Sequence, residues 1–215
     1  MSPATPLLRH AALLGGALAL VLSLGGCASV LRLENEVQSY ARWPAQQTPA
    51  TGDLYRFERL LSQQQSVATQ DELEALTRDA LDKVGLRWQA SQDGQPVKWT
   101  VQVSARSLKF RRAPWADPRD DWPHWGGGVL VGRGSVFGGG MFPVPQPPYY
   151  QREVSLVLRR AGSSEVVYET KASQDGPWPD SPTLWSALLD AALDGFPQPP
   201  ATSNGKRQVV IEVPR

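Results

Sequence analysis

Cysteine is almost absent from this sequence: Cys27 is the only one in 215 residues. An internal disulfide framework is therefore excluded, and so is a thiolate zinc site, which needs clustered ligands at defined spacing. Histidine is nearly as scarce, with His10 and His124 alone. That removes the usual general base from most of the chain. An excess of either charge is also lacking. The 22 basic and 21 acidic residues leave a formal net charge of +1. A nucleic-acid surface shows a basic stripe, so no nucleic-acid partner is expected. Long hydrophobic runs are missing too. The apolar run from Ala11 to Leu24 falls short of the about 20 residues that a membrane-spanning helix needs.

What is present begins with that run. Arg9 and His10 precede it, and Gly25, Gly26 and Cys27 follow it. A positive start, a short apolar core and a small-residue exit describe a secretory signal peptide. Gly15, Gly16, Gly25 and Gly26 oppose a buried helix by about 1 kcal/mol each. A lone cysteine in an exported chain is otherwise a free thiol or an intermolecular disulfide. Leu24-Gly25-Gly26-Cys27 resembles the lipobox of bacterial lipoproteins. That resemblance implies a diacylglycerol on the Cys27 sulfur, cleavage before Cys27 and acylation of the new amino group. The covalent lipid is the one prosthetic group expected, with no other cofactor and no metal. Two acyl chains hold stably to a membrane, so the membrane is a partner through the anchor. Ala28 and Ser29 follow the cysteine, where an aspartate retains many lipoproteins at the inner membrane. Resemblance to enterobacterial sorting then implies the outer membrane, facing the periplasm.

The expected organisation is a signal peptide over residues 1–26, a membrane-proximal tether over 27–36 and one α+β domain over 37–215. Val37 to Trp43 reads as a first strand ended by Pro44. Tyr55 and Phe57 alternate with Arg56 and Glu58 in a second. Thr69 and Glu72 have capping-box spacing, and Leu73, Leu76, Ala80 and Val84 form an apolar stripe that Gly85 closes. Leu86 to Ala90 reads as a short strand. Val97, Trp99, Val101, Val103 and Ala105 alternate with polar residues, and a phase slip near Arg106 predicts a bulge. Arg152–Arg160 and Glu165–Ala172 flank a hairpin loop. Ser181-Pro182 opens a second helix, with Leu184, Leu188, Ala192 and Phe196 on one side. Gln208–Val213 is a last strand. Trp88, Trp99 and Trp185 sit on periodic elements and are expected in the core, as are Leu76 and Leu188. The fold class is α+β: an antiparallel-rich mixed sheet with two amphipathic helices packed on it.

A long insertion interrupts this pattern. Arg111 to Pro148 holds eight glycines, seven prolines and three tryptophans, with no periodicity. Such stretches are functional or disordered. Trp115, Trp122, His124, Trp125 and Phe137 are the candidate surface for a ligand or partner, an envelope protein or a glycan. The alternative is that the aromatics cover a sheet face. Asp117, Asp120 and Asp121 beside His124 have the chemistry of a cation site or a glycosidic carboxylate pair, but a Gly/Pro-rich loop does not fix their separation. Gly132-Arg133-Gly134-Ser135 lacks the Gly-Lys-Ser/Thr end of a phosphate loop. No Gly-x-Ser-x-Gly elbow occurs. Catalysis is not expected.

Several motifs fall in one order: the lipobox, Tyr40-x-x-Trp43, Tyr55-Arg56-Phe57, Val84-Gly85-Leu86 and Trp99-Thr100-Val101-Gln102-Val103. Together they resemble the bacterial lipoproteins built on domain of unknown function 4136. The resemblance spans most of the chain after Cys27. It implies a fold and a compartment, and no reaction or catalytic residue.

Overall fold

The computed structural model describes residues 30–44, 47–90, 96–115, 130–132, 135–137, 147–201 and 205–214. Among the described residues nine strands and two helices follow in order: β1 (Val30–Ala41), β2 (Leu54–Phe57), α1 (Val67–Lys83), β3 (Arg87–Trp88), β4 (Trp99–Phe110), β5 (Leu130–Gly132), β6 (Ser135–Phe137), β7 (Tyr149–Arg160), β8 (Val166–Gly176), α2 (Pro182–Ala192) and β9 (Lys206–Pro214). A single 3-10 turn, Gln63–Gln65, precedes α1. Except for the outermost residues of β1 and β9, the main elements fall in one unit, Arg32–Glu212.

Seven strands form a mixed sheet in the order β3-β2-β4-β7-β8-β1-β9, and β5 pairs with β6 separately. The centre is antiparallel: β4 with β7, β7 with β8, and β8 with β1. On the other side β2 lies parallel to both β4 and β3. The expected α+β class is the observed one.

Strand alternation sorts the residues into two layers. Val37, Val101, Val103, Val154, Leu156, Leu158, Tyr168 and Ala172 are all buried in one core cluster with Leu188, Leu189 and Ala192 of α2. Both helices cover this face. Each fully buried side chain of this size contributes about 1.5–3 kcal/mol. The opposite face carries the polar alternates. Lys171 pairs there with Glu153 at 2.6 Å, and Lys206 with Glu36 at 2.8 Å. An antiparallel-rich sheet with one packed face tolerates this division. Trp43 closes the core near the end of α2. Its ring stacks on Tyr168 at 5.9 Å and meets Trp99 and Phe196 edge-on at 5.6 and 6.0 Å. Its indole N–H donates to Pro197 O at 2.7 Å.

Several expectations are corrected. β1 begins at Val30 rather than Val37, so residues 30–36 of the expected tether are strand. Leu33 and Asn35 are buried along it. The helix α1 starts at Val67, before Thr69, and Ser66 makes no side-chain cap. The 3-10 turn feeds directly into it, and Gln70 N–H closes the first turn on Ser66 O at 3.1 Å. No bulge falls near Arg106. The β4–β7 register is unbroken from Trp99↔Arg160 to Phe110↔Tyr149. The shift lies instead between Leu158 and Arg159, on the β8 side. Ser104 to Phe110 are all exposed, so no core constrains the apolar phase there. Trp88 is not core: it is 42% exposed, and the Arg78 guanidinium lies over its ring at 4.6 Å. Trp99 is core, and Trp185 is partly buried against it.

The end of α1 and the start of α2 are as expected. Gly85 takes φ +93 after α1, a conformation that glycine adopts without strain. Ser181 Oγ accepts the Leu184 N–H at 3.3 Å, with Pro182 opening the helix.

Candidate functional site

The structure adds a groove that the sequence did not announce. Its volume is about 840 Å³, and it lies between α1, the start of α2 and the outer half of β4. Leu73 and Leu76 line one wall, Pro182 and Trp185 the other, and Ser104 to Ser107 the floor.

Polar contacts hold the α1 wall to the sheet. Glu74, although buried, accepts from Arg59 Nε at 2.6 Å and from Arg59 Nη2 at 2.8 Å. Two-pronged carboxylate–guanidinium pairs of this kind are among the stronger polar contacts. Glu74 and Asp71 together push Arg59 further above its ordinary pKa. Gln70 Nε2 donates to Glu74 Oε1 at 3.1 Å and to Val103 O at 3.3 Å. Gln63 Nε2 reaches the same carbonyl at 2.6 Å. Thr77 Oγ1 donates to Leu73 O at 2.7 Å. Gln70, Glu74 and Thr77 thus face inward, with Ala80 and Leu81. Leu73 and Leu76 are rotated to the side, half-buried, where they pack on the core and open into the groove. Leu76 is therefore less central than expected, whereas Leu188 is buried at 1%.

A buried cation fixes the other wall. Arg152 of β7 is fully buried. Its Nε meets Asp180 Oδ1 at 2.5 Å, Nη1 donates to Gln174 Oε1 at 3.0 Å, and Nη2 donates to Trp178 O. Each of the three guanidinium nitrogens has an acceptor, as burial of a charge requires. Asp180 adjoins the Ser181 cap, so this anchor sets where α2 begins. In the sequence Arg152 shares the inward phase of Val154, Leu156 and Leu158, as Arg160 does and Arg159 does not, but nothing there marks Arg152 rather than Arg160 as the buried one.

The candidates from the sequence are mostly elsewhere. Cys27, Trp122, His124 and Trp125 lie outside the described residues, as do Asp117, Asp120 and Asp121. Phe137 ends β6, where its backbone pairs with Leu130. Trp115 is 73% exposed, and its ring meets Tyr149 edge-on at 4.9 Å. It stands beyond the outer end of β4 and does not line the groove. Two signals bear on the groove in the sequence: the polar spacing Gln70, Glu74, Thr77, and a strand pattern in β4 much longer than that in β2.

The geometry defines a two-layer α+β protein with a partly apolar groove beside a sheet edge. No protein-family model matches the chain, and no curated protein matches it. Among solved structures it is similar to a PelC dodecamer from Paraburkholderia phytofirmans, at 10% identity and a TM-score of 0.43. That match covers 77% of this chain and 99% of the other. It is also similar to a PDZ domain protein from Parabacteroides distasonis, at 11% identity and a TM-score of 0.46, over 91% of this chain and 42% of the other.

Proposed function

We propose that this protein is a lipid-anchored component of a Gram-negative cell envelope, attached to the outer membrane and facing the periplasm. It acts by binding or scaffolding and carries out no catalysis. Kinship with the lipoproteins of domain of unknown function 4136 belongs to the same proposal. The observation that carries it is the sole cysteine, Cys27, set directly behind the apolar run with Leu24 three places before it. The groove and the exposed Trp115 supply surfaces for a partner. Replacing Cys27→Ser tests the anchor. The variant is expected to accumulate as an uncleaved precursor that takes up no labelled palmitate, and continued labelling would refute the attachment site.

Trp115 favours a second reading. An indole this exposed is a stacking surface for a sugar ring, which makes a cell-wall glycan accessory or hydrolase the alternative, with His124 as its base. An assembly factor for outer-membrane components is a third. A peptidoglycan pull-down that fails with Trp115→Ala would support the glycan reading over the first.

A further inference from the structure

The strand β4 is twelve residues long, but on one side β2 pairs only with Trp99, Thr100 and Val101. Glu58 N–H then reaches Val101 O at 2.9 Å. Val103 O takes the Gln63 and Gln70 amides. Backbone direction alternates along a strand, so Ala105, Ser107 and Lys109 turn their N–H and C=O groups to this same side. The other side is held by β7 as far as Phe110↔Tyr149. Among the described residues no strand continues β2 along the open side, and Ser104 to Phe110 are exposed. An edge of this kind is a template for another chain, and this one forms the floor of the groove.

We propose that an extended segment of a partner protein, with apolar residues alternating with acidic ones, adds to the sheet beside Ala105, Ser107 and Lys109. Side chains of an added strand alternate between two faces. Those on the helix side meet Leu73, Leu76 and Trp185. Glu72 and Asp79 also line that side, so it favours apolar residues over acidic ones. Those on the outer face lie next to Arg106, which makes no ion pair among the described residues. Opposite charges across neighbouring strands are favourable and like charges are not. A second copy, pairing β4 with β4, brings no acidic side chain to Arg106, because Ser104 to Phe110 contain none, and is less favoured. The inference deepens the reading as a binding component and rests on it. Peptide capture is read independently of acylation, so its failure leaves the lipid anchor standing.

The test uses the full chain in detergent and a fluorescein-labelled heptapeptide alternating valine with glutamate, followed by anisotropy. Saturable binding is expected, weakened at least tenfold by Ser107→Pro. Proline there removes only an outward N–H and leaves the β4–β7 ladder intact, so the variant's melting curve should match the wild type. A peptide N-methylated at alternate amides, which needs no protein variant, should not bind. Arg106→Glu should exchange the preference for one favouring a valine–lysine peptide. Absence of saturable binding, or binding that survives both Ser107→Pro and N-methylation, would overturn the proposal. So would binding that appears only after residues 118–146 are deleted, which assigns the edge to the chain itself. A dimer dissociated by Ser107→Pro would overturn it in favour of a second copy.

Discussion

Truncating Leu188 and Leu76 to alanine separates the packed core from the wall of the groove. Leu188 is 1% exposed and sits among Val37, Leu156 and Ala172 in the core cluster. Leucine to alanine deletes three carbons, about 2.5 kcal/mol of transfer free energy at about 0.8 kcal/mol each. A closed core relaxes only in part, so the residual cavity adds about 1 kcal/mol. Leu188→Ala should therefore cost about 3.5 kcal/mol. Leu76 is half-buried and borders open groove, so no closed cavity forms and about half of the transfer contribution is lost. Leu76→Ala should cost about 1 kcal/mol. With a urea slope of about 2 kcal/mol/M for a domain of this size, the midpoints fall by about 1.7 M and about 0.5 M. Urea titrations followed by tryptophan fluorescence measure both. Equal costs, or a Leu188→Ala cost under about 1.5 kcal/mol, would refute the placement of the two helix faces.

Asp180→Ala leaves the buried Arg152 guanidinium without its carboxylate and should destabilise by about 3 kcal/mol in the same assay. Burial alone would raise the Asp53 pKa, but hydrogen bonds from Lys98, the Ala50 N–H and the Trp99 indole outweigh it and hold the carboxyl below its ordinary 3.8. A depressed pKa stabilises the fold above the unfolded value and loses that contribution as pH falls through the folded one. The stability gap between wild type and Asp53→Asn should thus be constant above about pH 5 and shrink below 3.8, read by urea midpoints across pH. Phe110 and Tyr149 are register partners, so joining β4 to β7 by a short Gly/Ser turn in place of Pro118–Gln146 should leave far-ultraviolet circular dichroism nearly unchanged. Unfolding would show that the deleted stretch is part of the core.

The elements legible in the sequence were those whose pattern answers to burial on one face. Val101, Val103, Val154, Leu156 and Leu158 alternate because the helices cover every second residue. Ser181-Pro182 and Gly85 mark helix ends through local chemistry alone. Sequence reasoning failed where a distant polar partner substitutes for an apolar one. Glu74 is inward on α1 because Arg59 neutralises it, and Gln70 because Val103 O accepts its amide. The spacing of Gln70, Glu74 and Thr77 is helical, but polar residues at that spacing read as a solvated face unless their partners are known. Trp88 misled because its strand is an edge of two residues, where a side chain rests against Arg78 rather than inside. The groove was hidden for a similar reason. It depends on β2 ending at Phe57 while β4 runs on to Phe110, a mismatch of pairing that no single segment records.

The most direct measurement is the intact mass of the protein extracted from membranes with detergent. The account predicts a chain beginning at Cys27, without residues 1–26, and heavier than its amino acids by a diacylglyceryl group and an amide-linked acyl chain. An unmodified mass that retains residues 1–26, or a cleaved chain with a free Cys27 thiol, would contradict it.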